Sequence, residues 1–367
     1  MGRRNSGANL EIEAYVKAIM KKFCTYMLCS LVVAGFIATA EDALSQADED
    51  SRIEFFYGGE QQLGQWGTPQ RWVNVLGSIS CPDEVESLAF SLNGGKAQPL
   101  SMGPDKRRLA RPGDFNIEID HQHLKAGGNQ IEVYGIDRDG NRFSRSMRIQ
   151  YTPDRVWPLP YSIDWSTVDT IQDVAQIVDG RWRLTPHGVR NEIAHYDRVL
   201  AIGDRSWRNY QATVTIRFHG FTGPTPNPPH FGVTHAGIGL RWRGHHDDGN
   251  QPRIKWHPLG AATEFQLFPG WAECRWRILG GSGKKRETMR MHNIEPNQPY
   301  FLKARVQTLP DGDTLYRVKI WQHEEDEPAL WDLCTTEGPS DYQNGCLLLV
   351  AHNSEVTFGN IEIIPLN

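Results

Sequence analysis

Between Gly237 and Leu279 the chain reads GIGLRWRGHHDDGNQPRIKWHPLGAATEFQLFPGWAECRWRIL, and apolar residues alternate with charged ones along it. Ile238, Leu240 and Trp242 fall on one parity, Arg241 and Arg243 on the other. Ile254 and Trp256 alternate with Arg253, Lys255 and His257. Phe265 and Leu267 alternate with Glu264 and Gln266, and Trp276 and Ile278 with Glu273, Arg275 and Arg277. A period of two sends successive side chains to opposite faces of a sheet. The stretch is therefore expected to form short antiparallel strands, with one face on a core and the other wet and cationic.

That wet face is the first candidate for a ligand surface. Arg241, Arg243, Arg253, Lys255, Arg275 and Arg277 supply six cations, and His257 and Gln266 add donors. The planar fork of arginine suits carboxylate and sulfate, so an anionic or uronate-containing polysaccharide is the expected ligand. The plainer alternative is a solvated face whose arginines pair with Glu264 and Glu273 across strands. Trp271 follows Pro269-Gly270 in a turn and is a sugar-stacking candidate, whereas Trp242, Trp256 and Trp276 sit on the apolar parity and read as core. The string from His245 to Asn250, HHDDGN, carries metal-ligand residue types but reads as a polar hairpin turn.

Strand-like patterning extends over nearly all of the chain from residue 52 onwards. A length of 367 residues predicts roughly two domains. Hydrophobic residues at 39% and charged ones at 23% are ordinary globular composition, which argues against disorder. A net charge of −5 argues against a general nucleic-acid binder. Residues 52–152 read as an all-β module, with short strands separated by Asn93-Gly94-Gly95, Pro112-Gly113-Asp114 and Gly127-Gly128-Asn129 turns. Residues 153–160 are a stiff, proline-rich linker. Residues 161–367 carry about ten further strands, enough for a large two-sheet sandwich. The loop from Gly220 to Gly232 is too proline-rich for a strand and is a candidate binding loop.

Residues 1–40 read as a leader. Lys21 and Lys22 precede an apolar run from Phe23 to Ile37 and then Ala38-Thr39-Ala40, the pattern of a signal peptide. Met20 is the expected true start. The run is short for a membrane span; the alternative reading is an uncleaved anchor. Cleavage after Ala40 makes the protein secreted, or cell-surface or periplasmic, with no membrane span left. Of the six cysteines, four then remain. Cys334 and Cys346 flank the turn-rich TTEGPSDYQNG and are the disulfide candidate; Cys81 and Cys274 read as thiols.

The strings SLAFSLNGG, GDFNIEID and LKAGGNQIEVYGIDRDGN resemble bacterial immunoglobulin-like modules, which implies a spacer or scaffold role. SWRNYQATVTIRF (206–218), GIGLRWRG (237–244), YFLKARV (300–306), YRVKIW (316–321) and LLLVAHNSEVTFGNIEIIPL (347–366) resemble the concanavalin A-like lectin/glucanase jelly roll in its laminin G-like form. The resemblance implies an all-β chain, an immunoglobulin-like sandwich followed by a jelly-roll sandwich, and a structural calcium often accompanies this fold. The architecture hosts lectins, glycosidases, polysaccharide lyases and adhesion modules. The glucanases of the family carry alternating carboxylates on one strand; the nearest string here, His323-Glu324-Glu325-Asp326-Glu327-Pro328, reads as an acidic turn. Arg190-Asn191-Glu192 resembles one alginate-lyase string, but no Gln-x-His string occurs. No catalytic residue is assigned. The expected function is recognition of an extracellular polysaccharide. A polysaccharide lyase or glycoside hydrolase, and a structural adhesion protein, are the alternatives.

Overall fold

The computed structural model describes residues 52–105, 107–222, 234–256 and 259–366. The leader 1–40 with Met20, most of the proline-rich loop and His257 lie outside the described residues. Among the described residues there is no α-helix, only strands joined by loops and 3-10 turns. No helix there is long and apolar enough to cross a membrane.

Residues 52–152 supply β1 (Ile53–Phe55), β2 (Glu60–Leu63), β3 (Trp72–Ile79), β4 (Val85–Leu92), β5 (Gln98–Pro99), β6 (Asp114–Asp120), β7 (Gly127–Asp137) and β8 (Arg142–Tyr151). They form a small sheet pair, β1-β3-β6 and β2-β8-β7-β4-β5. The alternation in β7 shows why: Ile131 and Val133 are buried in the core while Gln130 faces solvent.

The remainder supplies β9 (Tyr161–Ile163), β10 (Gln176–Asp179), β11 (Trp182–Thr185), β12 (Gly188–Asn191), β13 (Arg198–Ile202), β14 (Tyr210–Phe221), β15 (His235–Trp242) and β16 (Ala261–Gln266). It continues with β17 (Arg275–Gly280), β18 (Lys285–Glu287), β19 (Pro299–Thr308), β20 (Thr314–Gln322), β21 (Leu333–Glu337), β22 (Cys346–His352) and β23 (Ser354–Pro365). A seven-stranded sheet, β10-β13-β22-β15-β16-β17-β18, packs on an eight-stranded one, β11-β12-β23-β14-β19-β20-β21 with β9 beside β23. Together they form a two-sheet antiparallel sandwich, the all-β architecture that the sequence resemblance implies. Between the sheets lie Tyr210, Phe218, Phe265, Trp276, Leu349 and Phe358, all fully buried. Each such side chain contributes about 1.5–3 kcal/mol, so this layer holds the sandwich together.

The alternation in β15, β16 and β17 is realised as expected over most of its length. Ile238, Phe265, Trp276 and Ile278 point into the core. Gln266 stands opposite both His235 and Arg275, and Glu264 opposite both Gly237 and Arg277, on the outer face. At Arg241 the parity breaks. The register of β15 on β22 shifts between Gly239 and Trp242, and Arg241 has a left-handed φ of 53°. The bulge turns Arg241 inward and sends Trp242 to a small outer cluster with Val199, Leu348 and Val350. Arg241 is fully buried, so it is no part of a wet face. Its five N–H donors reach Arg208 O, Thr314 Oγ1, Tyr342 O, Asn209 Oδ1 and Thr308 Oγ1 at 2.8–3.1 Å.

Two further expectations are corrected. Arg253 to His257 is not a strand: the described part makes one isolated bridge, Lys255 to His246. The Arg253 N–H donates to Glu118 Oε2 at 2.7 Å and its guanidinium lies 3.5 Å over the Trp72 ring, so the N-terminal module takes up this segment. Cys334 and Cys346 form no disulfide. Cys334 is exposed on β21 of the eight-stranded sheet, whereas Cys346 is buried at the start of β22 in the other sheet. Cys274 is also a free thiol.

The N-terminal module is more than a spacer. It packs against β10, the edge strand of the seven-stranded sheet, through a buried polar seam. Arg108 Nε donates to both oxygens of Asp179 at 2.8 and 2.9 Å, and its Nη1 to Glu118 Oε1 at 2.8 Å. Trp72 Nε1 donates to His245 O at 2.7 Å, and Gln176 Nε2 to Trp72 O at 2.7 Å. Covering an edge strand in this way removes a pairing surface.

Candidate functional site

On the outer face of the seven-stranded sheet is a pocket of about 280 Å3. Its residues come from strand neighbours in register and from two loops. β22 ends in His352, which stands opposite His235, the first residue of β15. β16 brings Glu264, β17 brings Arg277 and β18 brings Lys285. Tyr196 and Asp197 enter just before β13, and Trp256 a few residues before β16.

Gly239 of β15 lies in the floor. A Cβ there would meet the Leu348 side chain at 3.0 Å. Strand glycines of this kind let another group approach the backbone closely. The floor is low at Gly239 because this position carries no side chain. Gly237, two residues earlier, packs instead against β16, where a Cβ would collide with Thr263 O.

The walls are a connected polar array. His352 Nδ1 lies 2.7 Å from Asp197 Oδ1, so the imidazole donates there and its orientation is fixed. The other Asp197 oxygen, Oδ2, accepts from Trp256 Nε1. Asp197 has a left-handed φ of 37°, a sparsely used conformation that the surroundings must enforce. The His235 and His352 rings are stacked, 4.6 Å apart and 3° from parallel, and Tyr196 stands edge-on to His352 at 4.9 Å. His235 Nε2 is 4.0 Å from Glu264 Oε1. Arg277 donates to Glu264 Oε2 through Nε, with its Nη2 against the same oxygen.

Burial sets the charges. It pushes the His235 imidazole well below its ordinary range, helped by His352 and Arg277, so this ring is neutral. Burial pushes the Glu264 carboxyl up, and the Arg277 guanidinium pulls it back down. The pocket therefore offers acceptors at Asp197 and Glu264, cations at Arg277 and Lys285, and a neutral imidazole at His235. Asp197, His235 and His352 could hold a metal ion, since one ligand atom from each lies within 4.8 Å of the others.

Of the residues singled out from sequence, Arg277 lines this pocket and pairs with Glu264, as the plainer alternative anticipated. Gln266 and Arg275 continue the same outer face; Gln266 is buried, and Arg275 lies over the Phe268 ring at 4.7 Å. The others are elsewhere. Arg241 is locked between the sheets. Arg243 is exposed beside the N-terminal module, its carbonyl accepting from Arg71 N at 3.3 Å. Arg253 belongs to the module seam, Lys255 is exposed on the loop, and His257 lies outside the described residues. Trp271 packs edge-on to Phe221 at 4.8 Å rather than on the pocket wall. The HHDDGN string is a turn: Asp248 accepts from the backbone of Asn250 and Ile254 at 3.1 Å. Tyr196, Asp197, His235, Trp256, Lys285 and His352 were not singled out for binding. Their one sequence signal is the alternating glycine of GIG in a strand.

No protein-family model matches the sequence, and no curated protein sequence matches it. Solved structures are similar in shape over about half of the chain. A carbohydrate-binding module, CBM66 from Bacillus subtilis, is 11% identical with a TM-score of 0.33, covering 52% of this chain and 94% of its own. The calcium-bound VIP36 exoplasmic/lumenal domain is 12% identical with a TM-score of 0.38, covering 56% and 90%. The Crh5 transglycosylase in complex with NAG is 11% identical with a TM-score of 0.36, covering 58% and 89%.

Proposed function

We propose that the protein binds carbohydrate, with one sugar residue of an extracellular polysaccharide entering the pocket over Gly239. The observation that carries this reading is the pairing of two positioned carboxylates, Asp197 and Glu264, with Arg277 and Lys285 around a glycine floor. Sugar hydroxyls donate to carboxylates and accept from guanidinium and ammonium groups. The apolar edges of Tyr196 and Trp256 suit the C–H faces of a sugar ring. An acidic substituent fits the β17–β18 rim, where Arg275, Arg277 and Lys285 stand. The anionic preference thus rests on three cations rather than six. Export rests on the sequence of residues 21–40.

The test is a glycan array carrying neutral and acidic polysaccharides, followed by calorimetry on hits. Glu264→Gln and Lys285→Ala are expected to weaken binding at least tenfold, and Arg243→Ala to leave it unchanged. An array without hits, or hits indifferent to Glu264→Gln and Lys285→Ala, removes the proposal.

A second reading is enzymatic, a polysaccharide lyase or glycoside hydrolase. The Asp197–His352 hydrogen bond favours it, because a carboxylate that orients an imidazole prepares it for proton transfer. Release of unsaturated or reducing ends from an array hit separates this reading from simple binding.

A further inference from the structure

We propose that Asp197, His235 and His352 form a site for one divalent transition metal of the zinc, cobalt or manganese kind, at the inner end of the pocket. The three residues are far apart in sequence. The sheet order β13-β22-β15 brings them together: Asp197 precedes β13, His352 ends β22, and His235 opens β15. All three are buried. Zinc-type bonds to nitrogen and carboxylate oxygen are about 2.0–2.2 Å, so the ligand atoms of one tetrahedral ion lie about 3.3–3.6 Å apart. The observed 4.8 Å limit needs a contraction of roughly 1–1.5 Å. His352 Nδ1 and Asp197 Oδ1 face each other at 2.7 Å, and an ion between them would replace the proton of that hydrogen bond, with the His352 proton carried on Nε2 instead.

The second observation is His235 itself. Its Nδ1 is buried and has no hydrogen-bond partner among the described residues. An orphaned buried polar atom is costly, and a cation would satisfy it. The parallel stacking of the two imidazoles requires a movement, because an ion lies in the plane of each ring it binds. Asp197 and Tyr196 hold His352 in place, so His235 is the ring that turns, about a torsion with a broad minimum.

The donor set selects the metal. Two imidazoles with one carboxylate suit zinc, cobalt, manganese or iron, whereas calcium takes oxygen ligands throughout. The calcium expected from the family resemblance is therefore not the ion for these residues. Trp256 Nε1, on the second Asp197 oxygen, is an outer partner that orients the ligand. Three protein ligands leave coordination positions open. That sugar hydroxyls fill them rests on the carbohydrate reading; the metal site does not.

Cobalt(II) alone, titrated into chelator-stripped purified protein, tests the site by its visible absorption and by calorimetry. One saturable equivalent per chain is expected, displaced by zinc but not by equimolar calcium. His235→Gln and His352→Gln are expected to bind at least tenfold more weakly, and His121→Gln to match the parent. Circular dichroism and the melting temperature of the stripped variants separate loss of a ligand from loss of fold. Should His352→Gln fail to fold, His235→Gln decides. No saturable binding up to millimolar cobalt, or parental affinity in folded His235→Gln, overturns the proposal, as does displacement by equimolar calcium. Glycan binding is measured separately, so its absence alongside intact cobalt binding removes only the sugar reading.

Discussion

Glu264 and Arg277 stand directly opposite each other on β16 and β17, and one carboxylate oxygen, Oε2, meets both Nε and Nη2 of the guanidinium. Both side chains are mostly buried. Removing one partner leaves the other as an uncompensated charge, which is far costlier than the pair is stabilising. Arg277→Met is therefore expected to lower unfolding free energy by about 3–5 kcal/mol, measured by urea denaturation. Glu264→Gln combined with Arg277→Met is expected to cost less than the sum of the single changes. Additive losses would mean that the two groups are hydrated separately.

Arg241 makes a second, purely structural prediction. All five of its N–H donors are satisfied by carbonyl, amide and hydroxyl oxygens. Lysine offers three donors from a single point and cannot span them. Arg241→Lys is expected to destabilise by about 2–3 kcal/mol through unsatisfied acceptors, with a lowered melting temperature and glycan affinity unchanged in the fraction that stays folded. Melting at the parental temperature would contradict the buried placement.

His235 makes stability depend on pH. Burial holds the folded imidazole well below 6.5, while the unfolded chain takes up its proton near that value. The unfolded state thus binds more protons below pH 6.5. The contribution of His235 is complete above that pH and is lost as pH falls. Between pH 6.5 and 5 the loss is about 2 kcal/mol from this group. His195, pushed down to about 4, and His245 act in the same sense. In the presence of chelator, His235→Gln is expected to lose about 2 kcal/mol less than the parent between pH 7 and 5. Equal losses in denaturant midpoints would show that the folded ring takes up a proton.

Gly239 is expected to control access. A methyl group there meets the Leu348 side chain at 3.0 Å and raises the pocket floor. Gly239→Ala is expected to cost about 1 kcal/mol of stability and to weaken glycan binding at least tenfold. Calorimetry on an array hit checks it; undiminished affinity would place the sugar away from β15.

The strands were legible because a half-buried sheet imposes a period of two, and Gln266, Arg275 and Arg277 do share an outer face as that period predicts. Arg241 was not, and Trp242 is buried as expected but on the other face, because a bulge shifts parity by one residue and nothing in the local sequence marks a left-handed arginine. Arg253 was misplaced for a different reason: the N-terminal module reaches it through Trp72 and Glu118, a contact between segments that no local pattern encodes. The histidines escaped notice because each stands alone in its own segment, and only the order of strands in the sheet sets His235 against His352.

The Arg108 fork on Asp179 and Glu118 has a practical consequence for anyone wishing to isolate the larger sandwich. A fragment cut at residue 161 keeps Asp179 but forfeits its counter-ion, and bares an unprotected strand margin at β10. Residues 52–152 thus act as a keystone for the larger sandwich, and swapping them for an unrelated tag is expected to yield an aggregating product.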